Sequence, residues 1–257
     1  MEVPAGARYL PTVLQQLAVF AAGFGSGFLN VMAGGGSLLT LPLLIFLGLP
    51  VAVANGTNRV AILVQNAAAV AAFRRQGQRG MREGLGWALA TVPGAVVGAW
   101  LAVRVDERLF RALLAGVLVL GVVGLLAPIR RGRVTEAGRW RRAAALVACV
   151  AVGFYGGFVQ AGVGFLLMLV LHQIVGLDLV RTNVHKVLIV LVFSVPALAV
   201  FVASGNIAWI AALVLSAGNA LGAVVATRVA LSGGERPIRV VVGVTLLLMA
   251  VRLVGGP

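Results

Sequence analysis

Acidic residues are scarce in this sequence, and their placement is as informative as their number. The 257 residues include only seven Asp and Glu, and each falls in a loop or at the end of an apolar segment. They are Glu2, Glu83, Asp106, Glu107, Glu136, Asp178 and Glu235. A pump for sodium or metal cations is expected to bury carboxylates among its helices. The sequence therefore argues against a cation transporter.

Cysteine and catalytic pairs are also missing. Cys149 stands alone, so an internal disulfide is excluded and a metal-thiolate site is not expected. His172 and His185 have no evident nucleophile or carboxylate partner in the sequence. We predict no catalytic residue, no metal site and no cofactor, and an intramembrane enzyme is kept only as a weaker alternative.

Charged residues of either sign are few, and long runs lack them altogether. They make up 11% of the chain, against roughly a quarter in soluble domains. None occurs from Tyr9 to Asn58, from Ala143 to Leu177 or from Val187 to Thr227. Because an apolar helix crosses a bilayer in about 20 residues, each run can hold more than one crossing. The composition predicts an all-α integral membrane protein embedded in a lipid bilayer.

The net charge of +14 does not indicate a nucleic-acid partner. The basic residues lie mainly in short loops between apolar segments, as expected of charges that hold loops on the cytoplasmic side. No basic face or aromatic platform for nucleic acid is evident. The apolar segments lie near 12–48, 52–73, 84–103, 109–127, 143–176, 180–203, 207–230 and 237–254.

The two halves of the chain resemble each other. Ala33-Gly34-Gly35-Gly36 is matched by Ala161-Gly162-Val163-Gly164 at an offset of 128 residues. Gly48 and Gly176, and Asn55 and Asn183, keep that offset, whereas the G-x-x-x-G pairs at 94–98 and 218–222 are 124 apart. We predict a first membrane repeat over 1–128, a basic cytoplasmic linker over 129–142 and a second repeat over 143–257. The G-x-x-x-G pairs are interpreted as helix contacts, within one chain or in a homodimer.

The first segment of each repeat is too long for one crossing. A continuous helix over 14–48 would measure about 52 Å, against a hydrocarbon core of about 30 Å. The glycines at 34–36 and 162–164 are natural break points, so each segment is predicted to be a helix, a turn and a shorter returning helix. The breaks raise the number of membrane segments from eight towards ten.

Loop charge favours ten crossings with both termini outside. The inside loops then hold 15 of the 21 Lys and Arg, whereas eight unbroken crossings divide them almost evenly. Those inside loops are 74–82, 130–142, 181–186 and 228–239. Five pieces per repeat is an odd number, so the repeats are predicted to be inverted, with a substrate site between broken helices near the midplane.

Polar clusters open matching segments of the two repeats, at 55–59 and 181–186. Helix N-termini and broken backbone attract anions, and amide, hydroxyl and basic side chains add donors. The alternative interpretation is that the amides cap helices and the basic residues reach the membrane surface. The predicted substrate-binding residues are Gly34, Gly35, Gly36, Ser37, Asn55, Thr57, Asn58, Arg59, Gly162, Gly164, Asn183, His185 and Lys186.

The stretches around the first glycine turn, Gly34 to Leu39, Pro42 to Leu44, Gly48 to Pro50 and Ala54 to Asn58, resemble the signature of the sulfite exporter TauE/SafE family. The stretch from Gly153 to Gly176 is similar to the second copy in that family. The resemblance covers essentially the whole chain. It implies a prokaryotic plasma-membrane permease for sulfite, organosulfonates or similar anions, often acting as an exporter.

The leading hypothesis is thus a secondary transporter that moves a small anion by alternating access. An anion channel is the nearest alternative, since the same donors can line a pore.

Overall fold

The computed structural model describes residues 12–78, 81–106, 108–110, 112 and 139–232, which form helices and turns without a strand in those ranges. The first half contains α1 (Val13–Met32), α2 (Ser37–Phe46), α3 (Val51–Arg75), a 3₁₀ turn (Met81–Gly84) and α4 (Leu85–Ala102). The second half contains α5 (Arg139–Phe158), α6 (Val163–Met168) continued by a π-helical segment (Leu169–Val175), α7 (Leu179–Ala203) and α8 (Trp209–Ser232).

Helix length and composition confirm the all-α membrane prediction. Helices α4, α5, α7 and α8 are long and apolar enough to cross a membrane. Helix α3 is long enough, at about 37 Å, but it is more polar and its residues are largely buried by protein. Most of the predicted segment near 109–127, the segment near 237–254 and most of the linker over 129–142 lie outside the described residues.

Both long first segments are broken, as predicted. Helix α1 ends at Met32 and α2 begins at Ser37, with Gly34 in the left-handed region at a φ of 85°. In the second half the break covers 159–162, slightly earlier than the predicted turn at 162–164, so Gly164 already belongs to α6. The ten residues of α2 and the thirteen of 163–175 span at most about 20 Å. Neither returning segment can cross a core of about 30 Å. The ten predicted pieces therefore include two short returning segments that are not full crossings.

Left-handed glycines recur at matching places in the two halves. Six described glycines have positive φ, and they form three pairs that are each 128 residues apart. The pairs are Gly34 with Gly162, Gly48 with Gly176, and Gly77 with Gly205. The turns after α1, α2 and α3 therefore share backbone geometry with the turns after α5, the π-helical segment and α7.

Small residues bring the helices into backbone contact. Gly218 and Gly222 of α8 lie against the backbone of α1 at Phe24, and Gly94 and Gly98 of α4 lie against that of α5 at Phe154. The prediction that these G-x-x-x-G pairs form helix contacts is confirmed. The contacts are made within one chain.

The contacts also give the directions of the helices. Helices α3 and α8 begin together, where the Ala208 amide donates to Thr57 Oγ1 at 2.9 Å, and end together, where Gln76 Nε2 donates to Thr227 Oγ1 at 3.3 Å. Helix α7 is antiparallel to α3, since Arg59 near the start of α3 lies over Phe201 near the end of α7. By the same contacts α1, α3 and α8 run one way, and α4, α5 and α7 run the other.

Candidate functional site

Two central helices carry most of the buried polar side chains. Helix α3 buries an arginine, three asparagines, a glutamine and a threonine. Helix α7 buries a lysine, a histidine, an asparagine, a threonine and a serine. Such groups are tolerated at membrane depth where protein surrounds them. They are Asn55, Thr57, Asn58, Arg59, Gln65, Asn66, Thr182, Asn183, His185, Lys186 and Ser194.

Arg59 is fully buried and caps the end of the broken helix α5. Its guanidinium donates to the Gly156 carbonyl at 3.1 Å, to the Phe158 carbonyl at 3.3 Å and to the Gly157 carbonyl. The guanidinium also stacks over the Phe201 ring, 4.5 Å from its centroid. The last carbonyls of a helix carry the negative end of its dipole, so a cation there is stabilised.

Asn55 lies one turn before Arg59 and reaches the same helix end. Its Nδ2 donates to the Phe158 carbonyl at 2.9 Å. Residues four apart share one face of a helix, and this face of α3 is thereby directed at the end of α5.

Lys186 holds the end of the other broken helix in a similar way. It is 2% exposed, and its Nζ donates to the Val31 carbonyl near the end of α1 at 2.8 Å. The same Nζ lies 2.7 Å from Asn183 Oδ1 and 3.9 Å from Met168 Sδ. Each half of the chain therefore provides a buried cation to the broken helix of the other half.

No buried carboxylate balances these two cations in the part of the chain that the structure describes. Glu83 and Asp106 are exposed there, and Asp178 is half-buried and caps α7 by accepting from the Arg181 amide at 2.8 Å. Helix carbonyls offer only partial negative charge. Since a buried charge is costly without a full counter-charge, the interior is electrostatically suited to an anion.

The first glycine turn lies against the start of α6, directly after the second turn. A Cβ on Gly34 would lie 2.6 Å from the Phe165 amide nitrogen and 2.7 Å from Gly164 Cα, which no real side chain could occupy. Gly35 packs against the Phe165 ring, and Gly36 lies against Ser26 of α1. Gly34 and Gly164, both predicted site residues, are thus brought into direct backbone contact.

Several of the predicted hydrogen-bond donors are buried, and some of their polar atoms have no hydrogen-bond partner in the described segments. Asn58 Oδ1 accepts from Thr40 Oγ1 at 2.7 Å, which joins α3 to α2. Among the described residues, however, no hydrogen-bond partner is found for Asn58 Nδ2, Asn183 Nδ2 or Arg59 Nε. A buried donor left unpaired costs about 1–3 kcal/mol, so these atoms can gain from an oxyanion.

The remaining predicted residues are placed differently. Thr57 faces the start of α8, and His185 packs against Gly84 at the opposite end of the bundle. Ser37 is buried at the start of α2, and Gly162 touches Leu38 at ordinary contact distance. The structure therefore does not bring Thr57 or His185 to the helix ends that Arg59 and Lys186 cap.

Sequence reasoning missed several further buried amides, and two of them stand out. Both side-chain polar atoms of Gln65 on α3 and of Asn219 on α8 lack hydrogen-bond partners within the described ranges. The available signal was a polar residue in the middle of an apolar segment. No group of three His, Cys, Asp or Glu suited to a metal occurs among the described residues.

Comparison with known proteins agrees with the motif resemblance. The pattern of the sulfite exporter TauE/SafE family matches residues 19–253. The chain is 29% identical to the "Probable membrane transporter protein ORF9" of Sinorhizobium sp over 240 residues, covering 93% of this chain and 92% of the relative.

Two further relatives carry similar names. A "Probable membrane transporter protein" of Haemophilus influenzae is 27% identical over 241 residues, 92% of this chain and 93% of its own length. The "Probable membrane transporter protein YfcA" of Escherichia coli K12 is 29% identical over 233 residues, 89% and 85% of the two chains. No solved structure matches. With almost its entire length matched, the chain belongs to the sulfite exporter TauE/SafE family.

Proposed function

We propose that this protein is a secondary transporter of small sulfur oxyanions, sulfite or organosulfonates, and that it exports them by alternating access from a prokaryotic inner membrane. The observation that carries the proposal is the pair of buried cations, Arg59 and Lys186, without a buried carboxylate among the described acids. The family match and the bacterial relatives named as membrane transporters support it.

The proposed anion lies between the ends of the broken helices. Arg59 and Lys186 supply charge, and the unpartnered amide nitrogens of Asn58 and Asn183 supply donors. A fully charged oxyanion accepts stronger hydrogen bonds than a neutral carbonyl does. The substrate therefore competes with the helix carbonyls that the two cations contact in this structure.

We further propose that the two halves are inverted repeats. The three glycine pairs at one offset support this, and so do the opposite directions of α1 and α5, of α3 and α7, and of α8 and α4. Inverted repeats with a site between broken helices suit rocking of one half against the other. Gly34 and Gly164 lie in backbone contact, so no open pore passes between them, which supports a carrier.

The direct test is flux through the purified protein in liposomes loaded with sulfite. We expect saturable efflux and counterflow with external sulfite, and smaller fluxes for chloride. Electrical currents that rise linearly with concentration, without counterflow, would instead identify a channel.

The charge of the site is tested by Lys186→Gln, which retains a donor for the Val31 carbonyl but removes the cation. Arg104→Gln is the matched control, since Arg104 is an exposed arginine whose guanidinium stacks on Trp100. We expect the first variant to lose transport and the second to retain it. Equal transport by both variants would refute the proposed role of Lys186.

A further inference from the structure

A groove lies at the end of the bundle where α4, α5 and α7 begin. It is separate from the helix ends that Arg59 and Lys186 cap. It has a volume of about 590 Å³ and lies between the starts of α4, α5 and α7 and the end of the π-helical segment. We call it the basic groove, and its lining residues are Glu83, Gly86, Trp87, Arg142, Leu146, Val175, Leu177, Arg181 and His185.

The polar rim of the basic groove favours an anionic group. Arg142 and Arg181 are exposed there, and Glu83 is the one acid among the lining residues. Two guanidiniums against a single carboxylate among the lining residues leave the rim positive. Arginine forks match the oxygens of a phosphate.

The opposite wall of the groove is apolar and faces the lipid. Leu146 in the lining is 43% exposed, and Val150, one turn further along α5, is also 43% exposed. On α4, Leu89 lies one turn after the lining residue Gly86, on the same face, and is 63% exposed. Since α4 and α5 are both long and apolar enough to span, these exposed side chains are suited to acyl chains. A soluble anion would use the rim only.

The matching place in the other half of the fold has no charge. At the offset of 128 residues, Val53 stands for Arg181 and Thr57 stands for His185; at the offset of 124, Ile207 stands for Glu83. Val53, Thr57 and Ile207 are all buried. The packing of these helices therefore does not itself require charged residues. The positive-inside tendency accounts for basic residues at this end of the bundle, but it does not require two of them to line one groove.

We propose that the basic groove binds the phosphate headgroup of an anionic phospholipid, with Arg142 and Arg181 on the phosphate and the acyl chains along α4 and α5. Basic pockets between membrane helices on the cytoplasmic side commonly hold such headgroups. The predicted inside location of 130–142 and 181–186 agrees with that side.

The test measures lipid binding to the purified full chain. Native mass spectrometry counts phosphatidylglycerol and phosphatidylcholine retained by the wild type, by Arg142→Gln/Arg181→Gln and by Arg104→Gln. Because each basic residue near an anionic surface changes affinity by about fivefold, we expect the double variant to bind phosphatidylglycerol roughly 20-fold more weakly. Arg104→Gln, at the other end of α4, should bind like the wild type.

Two further arms distinguish the alternatives. Glu83→Gln removes the acid of the rim and should tighten phosphatidylglycerol binding. Glycerol phosphate, which has the headgroup chemistry without acyl chains, should neither bind measurably nor raise the melting temperature at concentrations where the lipid does. Unchanged lipid retention in the double variant, or equal stabilisation by glycerol phosphate, would overturn the proposal.

Discussion

Helices α1 and α5, which end at the two breaks, are capped by cations of different chemistry. The planar guanidinium of Arg59 donates to three carbonyls of α5 and stacks on Phe201. The ammonium of Lys186 donates to one carbonyl of α1 and also contacts Asn183 and Met168. An arginine fork fixes geometry, and a lysine is a compact charge on a flexible stem. The end of α5 is thus the more firmly held of the two, and Lys186 is the cation better able to move between carbonyl and substrate.

The largest expected effect comes from removing each charge in turn. Arg59→Gln should abolish transport and also lower the melting temperature strongly, because the three carbonyls of α5 lose their shared donor. Lys186→Gln should abolish transport with a smaller loss of stability. Sulfite efflux and thermal unfolding in detergent check both. Equal destabilisation by the two variants would contradict the view that Arg59 holds its helix end more firmly than Lys186 does.

The next effect concerns the contact between the glycine turns. Gly164→Ala places a methyl where the Gly34 backbone lies, so overpacking should cost about 1–3 kcal/mol and impair transport. Gly25→Ala in α1 is the matched control, since a Cβ at that position meets no atom within 4 Å. A thermal unfolding series with efflux compares the two. Wild-type behaviour of Gly164→Ala would contradict the close approach of the turns.

A moderate effect is expected at the two asparagines. Asn55→Ala removes the donor to the Phe158 carbonyl, and Asn183→Ala removes the acceptor beside Lys186. We expect the double variant to reduce the transport rate at least tenfold, because both helix ends lose a positioning group. The kinetics of sulfite efflux measure this. A double variant with the wild-type rate would show that the site is assigned to the wrong face of α3 and α7.

The smallest effect is expected away from the helix ends. Thr57→Val removes the acceptor of the Ala208 amide and keeps the volume of the side chain. We expect a stability loss of about 1 kcal/mol with the affinity for sulfite unchanged. Thermal unfolding together with the concentration dependence of efflux separates the two. A large change in the affinity for sulfite would indicate that Thr57 belongs to the substrate site.

Helix geometry explains which parts of the site could be predicted from sequence. Asn55 and Arg59 are four residues apart and share a face, whereas Thr57 points away from that face. On α7, Asn183 and Lys186 are three residues apart and share a face, whereas His185 points away from that face. The sequence cluster therefore joined side chains that point in different directions from the same turns of α3 and α7.

The fold was more predictable than the contacts of the site. Segment length and the glycines around Gly34 and Gly162 suffice to predict both breaks, because a helix over either segment would exceed the bilayer. The partners of Arg59 could not be predicted, because the carbonyls at 156–158 come from the other half of the chain and carry no side-chain signal. Gln65 and Asn219 were missed because an amide within an apolar segment does not by itself show which way it faces.

The central claim is that buried positive charge holds an anion between the two broken helices. Equilibrium binding of radiolabelled sulfite to the purified wild type and to Lys186→Gln, with Arg104→Gln as control, tests it most directly. We predict saturable binding to the wild type and the control, and a loss of at least tenfold in affinity for Lys186→Gln. Undiminished binding by Lys186→Gln in a folded protein would contradict the claim.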